Sequence, residues 1–528
     1  MIETVNDPTP GIEEEIRRFQ LLQNKLGPLF EKVFPNPDQI RSVVVVPSLT
    51  LHPEELGKIS GVQCYEERLL VLLMLLRLPR THLIYLTSQS LNPTIIEYYL
   101  HLLPGIPSDH ARTRLRLFCC HDGSNISLTQ KILNRPRLVR RIRDAIHDTE
   151  SAHMVCFNAT PLERTLAVRL DIPLYGCDPG LNDLGTKSGS RKIFKEADVL
   201  YPDGMEDLHH ESDIVEALTE LKAKEPALRR AVVKLNDGFS GEGNAVFPFE
   251  GSPSGSGLKG WIKRELNRRL AFEAPGETWP RFRTKFEAMG GVVECFIEGE
   301  HKRSPSVQAR VDPLGIPTVI STHDQVLGGA SGQIFLGCTF PANEEYRLEI
   351  QRSGQKIAQM LKDRHVLGRF AIDFVSVRED GHWKHYAIEI NLRKGGTTHP
   401  FMMLQFLTDG DYDEATGMFL TPSGHPRYYY ATDNLQNPAY KGLLPEDLID
   451  IAVYHRLHFH GATQEGVVFH LIGALSEFGK IGVTSVASSP EHACKLYEDC
   501  VGILNLETQG QGRAERAPYG ARREIDGG

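Results

Sequence analysis

The chain has 528 residues, 41% of them hydrophobic and 24% charged, and a formal net charge of −9. That length exceeds one compact core and suits roughly two to four domains, in the composition range of a soluble globular protein. The acidic balance argues against a general nucleic-acid binder, which presents a basic face. The longest apolar run, Leu69–Leu76, is far too short to cross a bilayer.

The first residues, MIETVNDPTPGIEEEIRRF, lack a basic start followed by an apolar run, so no secretory signal is expected. Nine cysteines are scattered without the close, repeated spacing of a zinc site. Adjacent Cys119 and Cys120 read as buried thiols, and a reducing cytoplasm is the expected compartment.

Over residues 1–180, four short apolar stretches read as strands: SVVVVPSL, HLIYLTS, RLRLFCC and HMVCFNA. Between them lie YEERLLVLLMLLRL, NPTIIEYYLHLL and LTQKILNRPRLVRRIRDAI, all apolar at helical spacing. Such alternation implies a largely parallel sheet with helices on its faces. The basic run Arg135–Asp144 is a solvated helix face.

GTKSGSRKIFKEADVLYPDGMEDLH follows, a polar loop leading into a helix, where His209 and His210 are expected in solvent. From about residue 230 the pattern turns to paired strands with glycine turns. In VVKLNDGFSGEGNAVF, Lys234 ends an apolar strand ahead of Gly238, Gly241 and Gly243. Glycines let backbone N–H groups approach phosphate oxygens, and a lysine adds a point charge. The spacing is not that of a Walker loop, and the hairpin by itself reads more readily as a plain turn. GSPSGSGLKG is expected to be a surface loop. VVECFIEGE (Val292–Glu300) is a strand followed by acids, and PSVQARVDPLGIPTVISTHDQ reads as a further strand pair.

A helix, EYRLEIQRSGQKIAQML, then leads into GRFAIDFVSVREDGHWKHYAIEINLRKGGTTHP. Asp380-Gly381 signals a hairpin. A three-residue loop, Asp380 to His382, sets Asp373 opposite Glu389. Alternation puts Glu389, Asn391 and Arg393 on one face and Ile388, Ile390 and Leu392 on the other. Like charges directly opposite destabilise a sheet. As hard oxygen ligands for magnesium, the two carboxylates and Asn391 make sense together. Residues 411–506 hold a Tyr-rich linker, the helix DLIDIAVYHRLHF and a small strand–helix unit, and residues 507–528 read as disordered.

The order of these pieces resembles the ATP-grasp superfamily over roughly residues 185–405. The resemblance implies a pre-ATP-grasp Rossmann-like domain (1–180), an ATP-grasp domain (181–410) and a small C-terminal α/β domain (411–506), a multidomain α/β and α+β architecture. By the same resemblance Lys234 holds ATP phosphates under the loop Gly238, Gly241, Gly243. Arg191 is the first phosphate-side cation, with Lys187 or Lys192 as substitutes. Glu294, Phe296 and Ile297 match the adenine hinge, and Glu298 or Glu300 takes the ribose. Asp373, Glu389 and Asn391 match Mg²⁺ ligands, two ions being expected, and Arg393 the arginine near the transferred phosphate. Arg369, four residues before Asp373, falls on the same strand face and is a second phosphate-contact candidate.

EINLRKGGTTHPF, HKRSPSVQ and THDQVLGGASGQIFLGCTFPA further resemble the pheganomycin-type peptide ligases. The implied reaction is ATP-dependent amide formation through an acyl phosphate between a small-molecule carboxylate and an amine, amino acids or peptides, without nucleic acid or membrane. The oligomeric state is left open, a homodimer included. The alternatives are phosphoryl transfer to a non-carboxylate acceptor and a nucleotide-binding regulator that has kept the fold. Arg303, His323, Thr397 and Thr398 are substrate-side candidates, with His399 and Asp324 beside them. His455, His458 and His460 lack the further ligands a zinc site needs.

Overall fold

The computed structural model describes residues 11–238, 243–274, 276–299, 301–328 and 334–509. Gly241 and Glu300 lie outside the described residues.

The N-terminal segment builds a parallel four-stranded sheet in the order β3-β2-β1-β4, from β1 (Arg41–Val46), β2 (Thr81–Thr87), β3 (Leu115–Cys119) and β4 (Ala152–Cys156). Every residue of RSVVVV is buried, as expected for a strand covered on both faces. The run expected as a helix before β2 is one, Val62–Arg77, wound as a tight 3₁₀ helix. Three residues per turn put Tyr65 and Arg68 on one side of it.

A second, five-stranded antiparallel sheet follows in the order β5-β9-β6-β7-β8. Its strands are β5 (Gly204–Leu208), β6 (Arg230–Leu235), β7 (Asn244–Pro248), β8 (Ala271–Phe272) and β9 (Gly291–Cys295). The helices Leu258–Arg269 and Trp279–Met289 pack on it through Ile262, Leu266, Phe282 and Phe286. The end of GSPSGSGLKG therefore opens a helix instead of finishing a loop, because Leu258 and Ile262 have an apolar face to cover.

The third sheet has nine strands. It contains β10 (Lys302–Arg303), β11 (Pro305–Val311), β12 (Pro317–Gly328), β13 (Ile334–Phe340), β14 (Gly368–Glu379) and β15 (His382–Asn391). Beyond the small ribbon β16 (Asp411–Asp413) and β17 (Met418–Leu420), it continues through β18 (Tyr428–Gln436), β19 (Gly466–His470) and β20 (Lys480–Ala487). The C-terminal strands thus extend the same sheet, with β18 paired to β13.

The hairpin β14–β15 reaches its expected pairing by another route. Its turn has two residues, Asp380 and Gly381, both with positive φ (50° and 83°), so Glu379 faces His382. Left alone, that register would miss the Asp373–Glu389 pair by one. A bulge between Asp373 and Phe374 absorbs Ile388 and restores it. The bulge also brings Ile388 to the side expected to hold only Glu389, Asn391 and Arg393.

Gly381→Ala is expected to cost about 1 kcal/mol in chemical denaturation, since its positive φ disfavours a side chain. The added Cβ meets nothing within 4 Å, so catalytic rates should be unchanged; a rate loss exceeding the stability loss would show that the turn controls the bulge.

Candidate active site

One cavity of about 830 Å³ lies between the second and third sheets and reaches the N-terminal domain. The hairpin supplies Asp373, Ile388, Glu389 and Asn391, and Arg393 follows in the loop. Gln325 Nε2 donates to Asp373 Oδ1 (2.8 Å) and Asn391 Nδ2 donates to Asp373 Oδ2 (2.9 Å). Withdrawal from water, then the Glu389 carboxylate, push Asp373 up to about 7. Lys187 Nζ ion-pairs with Glu389 Oε1. The carboxylates therefore share one edge of the cavity, and a cation already leans on one of them.

Lys187 owes its place to the helix Lys187–Glu196. Thr186 caps that helix, its side chain accepting from Gly189 N (3.0 Å). Lys187 N donates to Asn236 O (3.1 Å) and Ser188 N to Asn236 Oδ1 (3.0 Å), so the helix start is tied to the end of β6. Ile390 N donates to Ser190 Oγ (3.0 Å), which ties the same helix to β15. A single short helix thus registers the two sheets across the cavity.

From β6, Lys234 enters the cavity beside Gly238 and Gly243. Its Nζ pairs with Glu294 Oε2 at 2.5 Å, and Arg191 Nη1 pairs with Glu294 Oε1 at 2.7 Å. The two cations offset the burial of Glu294 and hold its carboxyl below the ordinary value. Arg191, expected as a phosphate-side cation, instead lies 3% exposed behind Lys234, bound also to Glu206 and to Pro202 O. The substitute Lys187 is the one that lines the cavity, and Lys192 pairs at the surface with Asp207. Phe296 and Ile297 also line the cavity with Lys302, whose Nζ lies 4.6 Å from the Phe296 ring centroid. Glu298 is held by Arg230 (3.0 and 2.6 Å).

Other expected contacts are corrected. Arg369 shares the strand face of Asp373 but lies outside the cavity lining, opposite Arg310; burial, then the Arg310 charge, bring it down to about 10. His323 is fully buried with Nε2 2.6 Å from Tyr429 Oη, burial driving it down to about 3, so it belongs to the core. Arg303 and Thr397 line the cavity. Thr398 Oγ1 accepts from Gly395 N (3.0 Å) and donates to Gln308 (3.2 Å), bracing the glycine turn from behind. His399 is buried and stacked on His470, ring centroids 4.2 Å apart. Asp324 accepts from Tyr346 Oη (2.5 Å). His455 bonds Glu507 (2.9 Å), and among the described residues no three His, Cys, Asp or Glu side chains gather around a metal position. Tyr65, Arg68, Phe157, Asp433 and Lys480 also line the cavity. They lie in segments distant from the motifs, and no sequence spacing links them.

Two sheets closing over a lysine-rich cavity with an acidic hairpin define an ATP-grasp enzyme. Residues 181–250 and 262–415 match the family described as IQCH-like, ATP-grasp, and residues 447–499 match the PGM1 C-terminal domain. The fold is that of the biotin carboxylase domain of Hydrogenobacter thermophilus 2-oxoglutarate carboxylase (TM-score 0.53, 14% identity, 89% of this chain and 95% of that one). An ADP complex of N5-carboxyaminoimidazole ribonucleotide synthetase is similar (TM-score 0.50, 12% identity, 88% and 97%). Among curated relatives, the L-propargylglycine–L-glutamate ligase of Streptantibioticus cattleyicolor is 32% identical over 436 residues, 81% of this chain and 86% of that one. IQ motif-containing protein H of Danio rerio is 24% identical over 434 residues, 72% of this chain but 40% of that protein. This chain belongs to the ATP-grasp ligases that form carbon–nitrogen bonds, in the pheganomycin-type group. No helix among the described residues is long and apolar enough to cross a membrane.

Glu294→Ala would leave Lys234 and Arg191 buried without their shared carboxylate. It is expected to destabilise the fold by about 3–5 kcal/mol in urea titration, the range for breaking a buried pair from one side. A loss under about 1 kcal/mol would mean that solvent reaches both cations.

Proposed function

We propose that this protein joins a carboxylate to an amine at the expense of ATP, through an acyl phosphate. The observation that supports it best is the facing pair Asp373 and Glu389, set in one cavity with Lys187, Lys234 and Arg393. A carboxylate pair that shares an edge needs a cation, and two carboxylates with the Asn391 amide are hard oxygen donors suited to magnesium. Asp373, Glu389 and Asn391 would hold it. Bound there, magnesium supplies charge neutralisation on the phosphates during transfer.

Lys234 and Lys187 are the cations for the phosphates, with Gly238 and Gly243 offering close backbone approach. Phe296 and Ile297 provide the apolar end that suits adenine. Arg393 stands next to the carboxylates, where its guanidinium can take charge that develops on the moving phosphoryl group. In the first step a substrate carboxylate oxygen bonds to the γ-phosphorus as the bond to the β-phosphate oxygen breaks, giving ADP. In the second, the amine nitrogen bonds to the acyl carbon, phosphate leaves with the transferred oxygen, and the nitrogen loses a proton. Amino acids or short peptides are the proposed partners, in line with the ligase relative.

Phosphate release from ATP and Mg²⁺, across amino acids and short peptides singly and in pairs, tests this. ADP together with a product lighter by one water is the expected result; release with a single non-carboxylate partner would favour phosphotransfer. Glu389→Ala should abolish turnover while the circular dichroism stays native and the melting temperature falls only modestly, since Lys187 loses its partner but Asp373 loses a facing like charge, and a variant with full activity would remove Glu389 from the site. Lys234→Ala should weaken nucleotide binding by tenfold or more, about 1.4 kcal/mol or greater, as read by calorimetry; unchanged affinity would contradict its role.

A further inference from the structure

Part of the cavity lining comes from outside the motifs described above. Tyr65 and Arg68 come from one side of the N-terminal 3₁₀ helix, and Phe157 from just beyond β4. Asp433 and Asn434 come from β18, where a register shift between Thr432 and Leu435 interrupts the pairing with β20. Such an irregularity re-aims side chains, and here both line the cavity. Lys480, the first residue of β20, completes the wall.

These groups are tightly arranged. Arg68 Nη2 meets Asp433 Oδ2 at 2.5 Å, each side chain 12% exposed. The Arg68 guanidinium carbon lies 3.9 Å from the Tyr65 ring centroid and 5.4 Å from that of Phe157. Lys480 Nζ donates to Tyr65 Oη at 2.6 Å. Two cations therefore stand against one carboxylate, and Arg68 Nε is buried with no hydrogen-bond partner. An ion pair serving only to join domains would not bring a second cation, Lys480, to the same stretch of cavity wall. Arg68 and Arg393 line the same cavity.

We propose that Arg68, Asp433 and Lys480 form a clamp for the headgroup of a free α-amino acid. Asp433 accepts from the ammonium, Arg68 and Lys480 take the carboxylate, and the Tyr65 and Phe157 rings fix the Arg68 plane. Opposite charges set two bonds apart on one carbon match a wall that carries opposite charges within hydrogen-bonding distance. The clamp rests on the ligase reading for its purpose, since it would seat one substrate beside Arg393, and it restricts that substrate to a molecule with both groups unblocked.

The test is equilibrium dialysis of radiolabelled amino acids against the full chain, with Mg²⁺ and a non-hydrolysable ATP analogue. Wild type, Arg68→Gln, Asp433→Asn and Lys480→Met are compared, each with the amino acid, its carboxamide and its N-acetyl form. The expected result is a tenfold or greater loss of amino-acid affinity in each variant, with analogue affinity within about twofold of wild type. Lys480→Met should lose the preference over the carboxamide, and Asp433→Asn the preference over the N-acetyl form. Lys480→Met breaks no ion pair with Asp433, so it reports even if the other two lose stability. Failure of the wild type to bind any free amino acid, or variants that keep both affinity and discrimination, would overturn the clamp. ATP turnover with partners that lack the headgroup would leave the ligase reading standing and remove the clamp. Amino-acid binding through these residues without turnover in any pair would do the reverse.

Discussion

Two carboxylates opposite each other on a hairpin, Asp373 and Glu389, are the constraint around which the rest of the cavity is arranged. Such a pair works against the sheet that carries it, and it persists because neighbours offset the repulsion. Gln325 and Asn391 donate to Asp373, and Lys187 reaches Glu389 from another element. The helix that presents Lys187 is bound at one end to Asn236 and along its length to β15. The local electrostatic cost thus becomes a tie between the two sheets that enclose the cavity.

The second charge centre, Glu294 with Lys234 and Arg191, works differently. Lys234 and Glu294 line the cavity, whereas Arg191 is a buried partner whose second and third contacts, Glu206 and Pro202, lock it in place. One carboxylate held by two cations fixes the lysine's position on the cavity wall. Removing the carboxylate exposes the cost of both cations at once, whereas removing Lys234 leaves Glu294 still paired.

The third sheet explains how residues from the C-terminal segment come to line the same cavity. Because β18 pairs with β13, Asp433 and Lys480 are placed by the same hydrogen-bonded ladder that places the acidic hairpin. The Arg68–Asp433 pair then joins the N-terminal domain to that sheet directly at the cavity wall.

Much of this was legible in the sequence. Alternation of short β-branched runs with helical spacing revealed the parallel sheet, since burial on both faces demands continuous apolar strands. The facing of Asp373 and Glu389 was also legible, although the loop length behind it was not. A two-residue turn and a compensating bulge yield the same pair as a three-residue loop, and only backbone geometry separates them. The same bulge turned Ile388 toward the cavity against simple alternation. Tertiary structure alone decided that Lys187 and not Arg191 faces the cavity, because two cations one helical turn apart look equivalent until Glu294 claims one. It also decided that His323 and Arg369 stay out of the cavity lining, and that Tyr65, Arg68, Asp433 and Lys480 join it. Motifs report what neighbouring residues share along the chain; a wall assembled from three distant segments exists only once the sheets are packed.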